Sequence, residues 1–412
     1  MSLFVPTNIL IPKVAEPEKW SVIACDQFTS QPEYWERVKN YVGDAPSSLK
    51  LIYPEAKLSD REPDQSAIAA IRSEMKAYLE SDLFTEYENA FVYTERTLSD
   101  GTVRKGIVGA MDLDGYSYEA GSVSEIRPTE KTILERIPPR KKIREQAQME
   151  IPHILMFADD EKNLLWEFLE QKKDSFPILY DFDLMEQGGH LMGRLVSGKD
   201  AEALQRKIEN YEVQIYKKYE ALNCSPILYA AADGNHSLAA AKAYAVKKQK
   251  EAGGSKKSLE HYAMVELVNL YAESQKFEPI HRIIKNTNPQ ELLNALKAFA
   301  GAEQGIPLKW HRGNEEGLLF LNLEKGTLAA GILQEFLDRY LAVHAGVVDY
   351  IHGTETLMEL SKKEGCIGFE LPGIKKDRFF QEISENGVFP RKTFSVGHAS
   401  DKRYYLEARK LV

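Results

Sequence analysis

Residues 226–240 read PILYAAADGNHSLAA. The apolar run over 226–232 predicts a buried strand that ends at Asp233; Gly234 permits a sharp turn, and an alanine-rich helix is predicted from Asn235 or His236 to about residue 250. Such a junction leaves the first backbone N–H groups of the helix without acceptors inside it, and a helix start of this kind binds anions. His236, in the first turn, can donate a hydrogen bond to a phosphate oxygen, while Asp233 can hold a metal ion or accept a proton. An ordinary cap, an ordinary turn and a surface histidine account for the same letters. The rest of the chain has to decide between them.

Downstream, Lys247, Lys248 and Lys250 close the predicted helix ahead of Gly253 and Gly254, and cations there suit the helix dipole. A further helix is predicted from Asn288, with Pro289 at its first position and Glu291 three residues after the cap. Strands and a helix are predicted around 317–343, then a strand, helix, strand and terminal hairpin over 345–412. Upstream, 200–221 reads as a polar amphipathic helix, and 178–185 with 190–196 flank Gly188 and Gly189 as a hairpin. Another hairpin is predicted from 91–96 and 105–113 around Ser99, Asp100 and Gly101. Residues 64–80 repeat Ile68, Ile71, Met75 and Leu79 at helical spacing. The stretch 125–148, with Arg136, Arg140, Lys141, Lys142 and Arg144, reads as a solvated helix after Pro138 and Pro139, and 20–25 reads as a short strand. The boundaries drawn are 1–200, a mixed unit with hairpins; 201–285, the strand-turn-helix unit; and 286–412, a C-terminal unit. The expected fold class is mixed α/β (α+β).

The chain has 412 residues, with 53 Lys plus Arg against 62 Asp plus Glu, a formal charge of −9. At 43% hydrophobic and 28% charged residues it has the material for packed cores and is not a disordered composition. Cys25, Cys224 and Cys366 are odd in number and far apart, which argues against a disulfide framework or zinc ribbon and suits a reducing cytoplasm. No apolar run approaches the ~18 residues of a membrane span, and the first residues lack the pattern of a secretory signal. The acidic balance disfavours wholesale wrapping of nucleic acid. Phosphate loops of the G-x-x-x-x-G-K type, G-x-G-x-x-G turns, G-x-S-x-G elbows and H-E-x-x-H helices are all missing, so any nucleotide site is built differently.

The motif Asp233-Gly234-Asn235-His236-Ser237 resembles the D-G-H-H-R segment of the domain-of-unknown-function family 1015, with Asp, Gly and the second His matched. Five other segments lie in the family's order along the chain. Asp26, in Ala24-Cys25-Asp26-Gln27, is similar to the Asp of the family's P-P-Y-D, and Thr129-Glu130-Lys131-Thr132 resembles H-E-x-T with Thr for His. Pro279-Ile280-His281-Arg282 resembles P-T-H-R. Tyr350-Ile351-His352 and Phe389-Pro390-Arg391-Lys392-Thr393-Phe394 resemble Y-T-H and M-P-x-K-S-T-Y-F. The D-G-H-H-R element is itself similar to the phosphate-binding turn of ParB-like and sulfiredoxin-like domains, among them free L-serine kinases.

That resemblance implies transfer of a phosphoryl group from ATP, ADP, pyrophosphate or another phosphate donor to the hydroxyl of a small metabolite, with free L-serine as the acceptor by relationship. Donor phosphates would lie on Gly234, Asn235, His236 and Ser237, with Arg282 and Lys392 as counter-charges. Glu130 or Asp26 would take the hydroxyl proton, and Asp233 would help hold Mg²⁺, the three carboxylates being interchangeable at this point. Ser237 is the serious departure, because it offers a hydroxyl where the family places a guanidinium; Arg127, Arg282 or Arg391 would have to replace it. Without a replacement, the same residues describe a nucleotide- or phosphometabolite-binding sensor that does no chemistry. A nucleic-acid partner, by kinship to ParB, would rest on the basic stretches at 136–144 and 247–257 and ranks last. His352 beside Asp349 and Glu355 is read as non-metal, and Cys25 as a small buried residue with no nucleophilic role.

Overall fold

The computed structural model describes residues 2–57, 64–151, 154–251, 253, 258–325, 328–390 and 392–411. It divides into two compact units: residues 1–275 with 397–412, and residues 276–396. The first unit is therefore completed by a segment that arrives after the second.

The first unit is built on a mixed ten-stranded sheet. Its spine runs Ile126–Pro128, Tyr229–Asp233, Leu155–Ala158, Tyr262–Asn269, Val103–Asp112, Phe84–Thr97, His190–Val196 and Ile178–Asp183. Tyr229–Asp233 is parallel to Ile126–Pro128 and antiparallel to Leu155–Ala158, so it is buried on both sides, as its apolar sequence requires. Both predicted hairpins form, as does the helix Gln65–Glu80, capped by the Asp64 side chain on Ser66 N. Ile68, Ile71 and Met75 face the core.

Residues 397–411 run back through this unit as a strap. Leu10 and Ala408 exchange backbone hydrogen bonds of 2.8 and 2.9 Å, Tyr404 N donates to Val22 O at 3.0 Å, and Ala24 N donates to Lys402 O at 2.8 Å. Tyr405, Leu406 and Ala408 enter the main core with Trp20, Val92 and Met264. Glu407 on the strap is wholly buried; it accepts from Tyr180 Oη at 2.5 Å, and burial pushes its carboxyl up to about 7. Two sequence expectations give way here. Residues 20–25 are no strand: Trp20 ends the short helix Pro17–Trp20, and one bridge, Ile23 to Arg403, fastens the segment to the strap. Among the described residues the predicted terminal hairpin does not form either, because Arg409–Lys410 pairs with Met149–Glu150 instead.

The basic stretch forms the helix Ile137–Gln146, with its prolines in the first turn, but it is half-buried rather than solvated. Its cations have partners: Arg140 pairs with Glu55, Lys141 with Glu145 at 3.4 Å and Arg144 with Glu150 at 2.6 Å. Lys247 reaches Glu145 at 3.0 Å; residues 252 and 254–257 of the second basic stretch lie outside the described residues.

The second unit has its own antiparallel sheet, ordered Gly301–Ala302, Glu315–Leu321, Ile306–Arg312, Ile367–Glu370, Phe277–Lys285 and Val347–His352. Phe394–Val396 joins the near end of Phe277–Lys285. The helices Pro289–Ala300 and Ala329–Leu341 bring Leu292, Leu296, Leu333 and Phe336 onto Ile284, Leu308 and Phe369. Asn288 caps the first of these helices, accepting from Glu291 N at 3.2 Å. No helix among the described residues is long and apolar enough to cross a membrane.

Candidate functional site

The strand Tyr229–Asp233 turns at Gly234 into the helix Asn235–Glu251. Gly234 has φ +75°, and a Cβ there would meet Ile154 Cα at 3.1 Å. Both the backbone sign and the space demand glycine. Gly234→Ala is expected to cost about 1–2 kcal/mol of stability from the left-handed conformation alone, read as a lower urea midpoint with an unchanged m-value.

Gly234 N donates to Asp233 Oδ1 at 2.9 Å, and Gly234 O accepts the first helical bond from Leu238 N at 3.0 Å. Asp233 Oδ2 pairs with Lys402 Nζ at 3.1 Å, with the two side chains 24% and 29% exposed, so neither is lost to solvent. Lys402 is held above the ordinary lysine value by Asp233 first, then by the charges of Asp26 and Glu130, against the opposing effect of burial. One carboxylate therefore pairs with the ammonium, and the charges of two more act on it. Sequence reasoning missed Lys402, which stands in Ser400-Asp401-Lys402-Arg403, a run with no motif to flag it.

Each carboxylate is positioned by backbone. Thr129 N and Oγ1 both donate to Ala231 O, at 3.3 and 2.9 Å, and Ile133 N donates to His236 Nε2 at 3.2 Å. Glu130 is thus bracketed between the end of the strand and the start of the helix. Asp26 follows the Ala24–Lys402 backbone bond, and Gln27 Nε2 donates to its Oδ1 at 2.9 Å.

With its Nε2 accepting from Ile133 N, His236 carries its proton on Nδ1. Burial first, then the charges of Arg140 and Arg136, push the imidazole down to about 4, with Asp26 opposing. His236 is therefore neutral at pH 7, with its Nδ1–H free of the Ile133 bond. Asn235 Oδ1 is buried without a hydrogen-bond partner among the described residues. The Cys25 thiol is pushed up to about 11 by burial and the adjacent Asp26 charge, which keeps it protonated and unsuited to nucleophilic work.

The structure thus gathers Asp26, Glu130, Asp233, Gly234, Asn235, His236 and Ser237 in the first unit. Arg282 and Lys392 belong to the second. There Arg282 is wholly buried, donating to Ile280 O at 2.5 Å and Lys392 O at 2.8 Å, with its guanidinium 4.7 Å from the Tyr350 ring centre. Lys392 is exposed, with φ +59°. Arg127 does not replace the absent guanidinium of the turn. It is buried and donates to Ser124 O at 2.8 Å and Pro226 O at 3.5 Å. Arg391 lies outside the described residues.

Mg²⁺ does not fit Asp233 as predicted, since one oxygen takes the Gly234 N–H and the other a lysine ammonium where the cation would sit. Among the described residues no group of three or more His, Cys, Asp or Glu gathers to hold a metal.

Three comparisons bear on this arrangement. A family model described as "Protein of unknown function (DUF1015)" matches residues 11–363. No curated protein matches the chain. Among solved structures, a free serine kinase in complex with AMP is similar at 12% identity and TM-score 0.38, covering 73% of this chain and 91% of that one. SbnI with a C-terminal truncation, from Staphylococcus aureus, is similar at 11% identity and TM-score 0.34, covering 68% and 82%. A conserved hypothetical protein from Pyrococcus furiosus is similar at 12% identity and TM-score 0.33, covering 70% and 89%. Likeness at these scores transfers no activity.

Proposed function

The chain belongs to the DUF1015 family, whose function is unknown, so its activity has to be read from its own site, and we propose that it is a small-molecule kinase. It would move a phosphoryl group from a nucleotide or another phosphate donor to the hydroxyl of a small metabolite. The observation that carries the reading is a glycine-turned helix start where Asp233 pairs with Lys402, an ammonium on which the charges of Asp26 and Glu130 also act.

Phosphoryl transfer asks for positioning and charge neutralisation more than covalent chemistry. Donor phosphates seat on the N–H groups that open the helix Asn235–Glu251, where His236 Nδ1–H adds a neutral donor. The acceptor oxygen attacks the terminal phosphorus, the new O–P bond forms, and the bridging P–O bond breaks with its electron pair leaving on the donor fragment. The hydroxyl proton passes to Asp26 or Glu130. Asp233 is the poorer base, being engaged by both Gly234 N–H and Lys402. Lys402 supplies the positive charge that the transferring group needs.

The test is a phosphorus-31 NMR assay of the full chain with ATP, ADP or pyrophosphate, Mg²⁺ in the buffer, and a panel of hydroxyl acceptors that includes L-serine. A phosphorylated acceptor that requires the protein is the expected result; donor left intact with every acceptor refutes the kinase. Ser237, with Arg127 tied to two carbonyls, favours a second reading, a nucleotide sensor. Calorimetry identifies it, as saturable nucleotide binding without turnover.

A further inference from the structure

Beside the turn, Ser237 and Ala240 stand one helical step apart on the wall of a cavity of about 150 Å³ in the first unit. Facing them are Leu51, Ile52, Met75 and Met264, while Cys25, the residue before Asp26, lines the same space with Tyr404. We propose that this cavity receives the uncharged, apolar body of the acceptor, an alcohol whose hydroxyl emerges at the Asp26 end.

Three observations carry this. A space of about 150 Å³ has the volume of a cavity that takes benzene, so it fits one ring or a branched chain of similar bulk. The four charged residues on its described wall are joined in pairs, Arg140 to Glu55 and Arg144 to Glu150 at 2.6 Å. Glu150 holds a second cation as well, Arg409 at 2.6 Å, and accepts from Met264 N at 2.9 Å. No charge on that wall is left over for an ammonium or a carboxylate, and a zwitterionic acceptor would bury both of its own unpaired. Finally, Ser237 of the phosphate turn and Cys25, next in sequence to the candidate base, both line the cavity, so a ligand filling it lies against the turn.

This assignment rests on the kinase reading for its chemistry, and the experiment separates the two. Binding of benzyl alcohol and of L-serine to the full chain is followed by saturation-transfer NMR, beside the phosphorus assay. Benzyl alcohol is expected to bind and L-serine not to displace it. Ala240→Met, which fills the space, is expected to weaken benzyl alcohol at least tenfold. Met264→Ala, which adds no bulk, is expected to admit 2-naphthylmethanol, which the parent chain excludes. If benzyl alcohol binds and Ala240→Met blocks it while no donor is turned over, the cavity assignment stands and the kinase falls. If L-serine is phosphorylated and benzyl alcohol does not bind, or binds both variants like the parent, the kinase stands and this proposal is overturned.

Discussion

Lys402→Met is expected to lower kcat by about 10²–10³-fold, the usual loss when one preorganised charge is removed from a transition state. That corresponds to about 3–4 kcal/mol of barrier. The physical reason is local: Asp26, Glu130, Asp233 and the incoming phosphates all lose the opposing charge of this lysine. Loss of that charge favours their protonation, so the acid limb of the kcat profile is expected to move to higher pH. Lys402→Arg keeps the charge with different geometry and should recover part of the rate. A structural role alone would lower the melting temperature of the Met variant and leave the pH limb in place, which is the outcome that would sink the assignment.

The second large effect concerns stability against pH, where two buried groups work in opposite directions. His236 titrates near 4 in the folded chain against 6.5 ordinarily, so the unfolded chain binds the extra proton between those values. Its contribution is present above pH 6.5 and is lost as the pH falls through 4. Glu407 titrates near 7 against 4.5, so its contribution is present below pH 4.5 and is lost as the pH rises through 7. Each is worth up to about 3 kcal/mol, and between pH 4.5 and 6.5 the slopes offset. Urea unfolding should therefore show that Glu407→Gln becomes less stable on acidification from pH 6.5 to 4.5, relative to the parent chain. His236→Gln should become relatively less stable on the reverse change. Parallel profiles for the two variants would refute the opposition.

Much of the fold was legible because local chemistry and tertiary packing agree. Gly234 sits at a positive φ between an apolar strand and an alanine-rich helix, Asn288 caps where its spacing says, and both hairpins turn where Gly101 and Gly189 relieve the backbone. The half-buried Ile137–Gln146 helix was not legible, since its carboxylate partners Glu55 and Glu150 lie outside its own sequence. Residues 20–25 misled because their apolarity serves packing against the strap instead of a sheet ladder. In the candidate site, motif order pointed to the acidic and glycine positions but not to Lys402. Nothing near it in sequence signals that its backbone is fastened to Ala24. Arg282 shows the converse: a His-Arg pair looks like an anion clamp in one dimension, yet in its unit the guanidinium is enclosed and bonded to carbonyls.

The strap also sets an order of assembly during synthesis. Residues 1–275 are synthesised before residues 276–396, and at ~5–20 residues per second the wait for Lys402 is on the order of 10 s. Through that interval the backbone of Leu10, Val22 and Ala24 lacks its partners on the strap, and Trp20 lacks the Tyr405 carbonyl that its indole donates to. A nascent chain is thus exposed along one seam until the strap is made, so a ribosome stalled in the second unit would release a product that chaperones and proteases can tell from the finished protein.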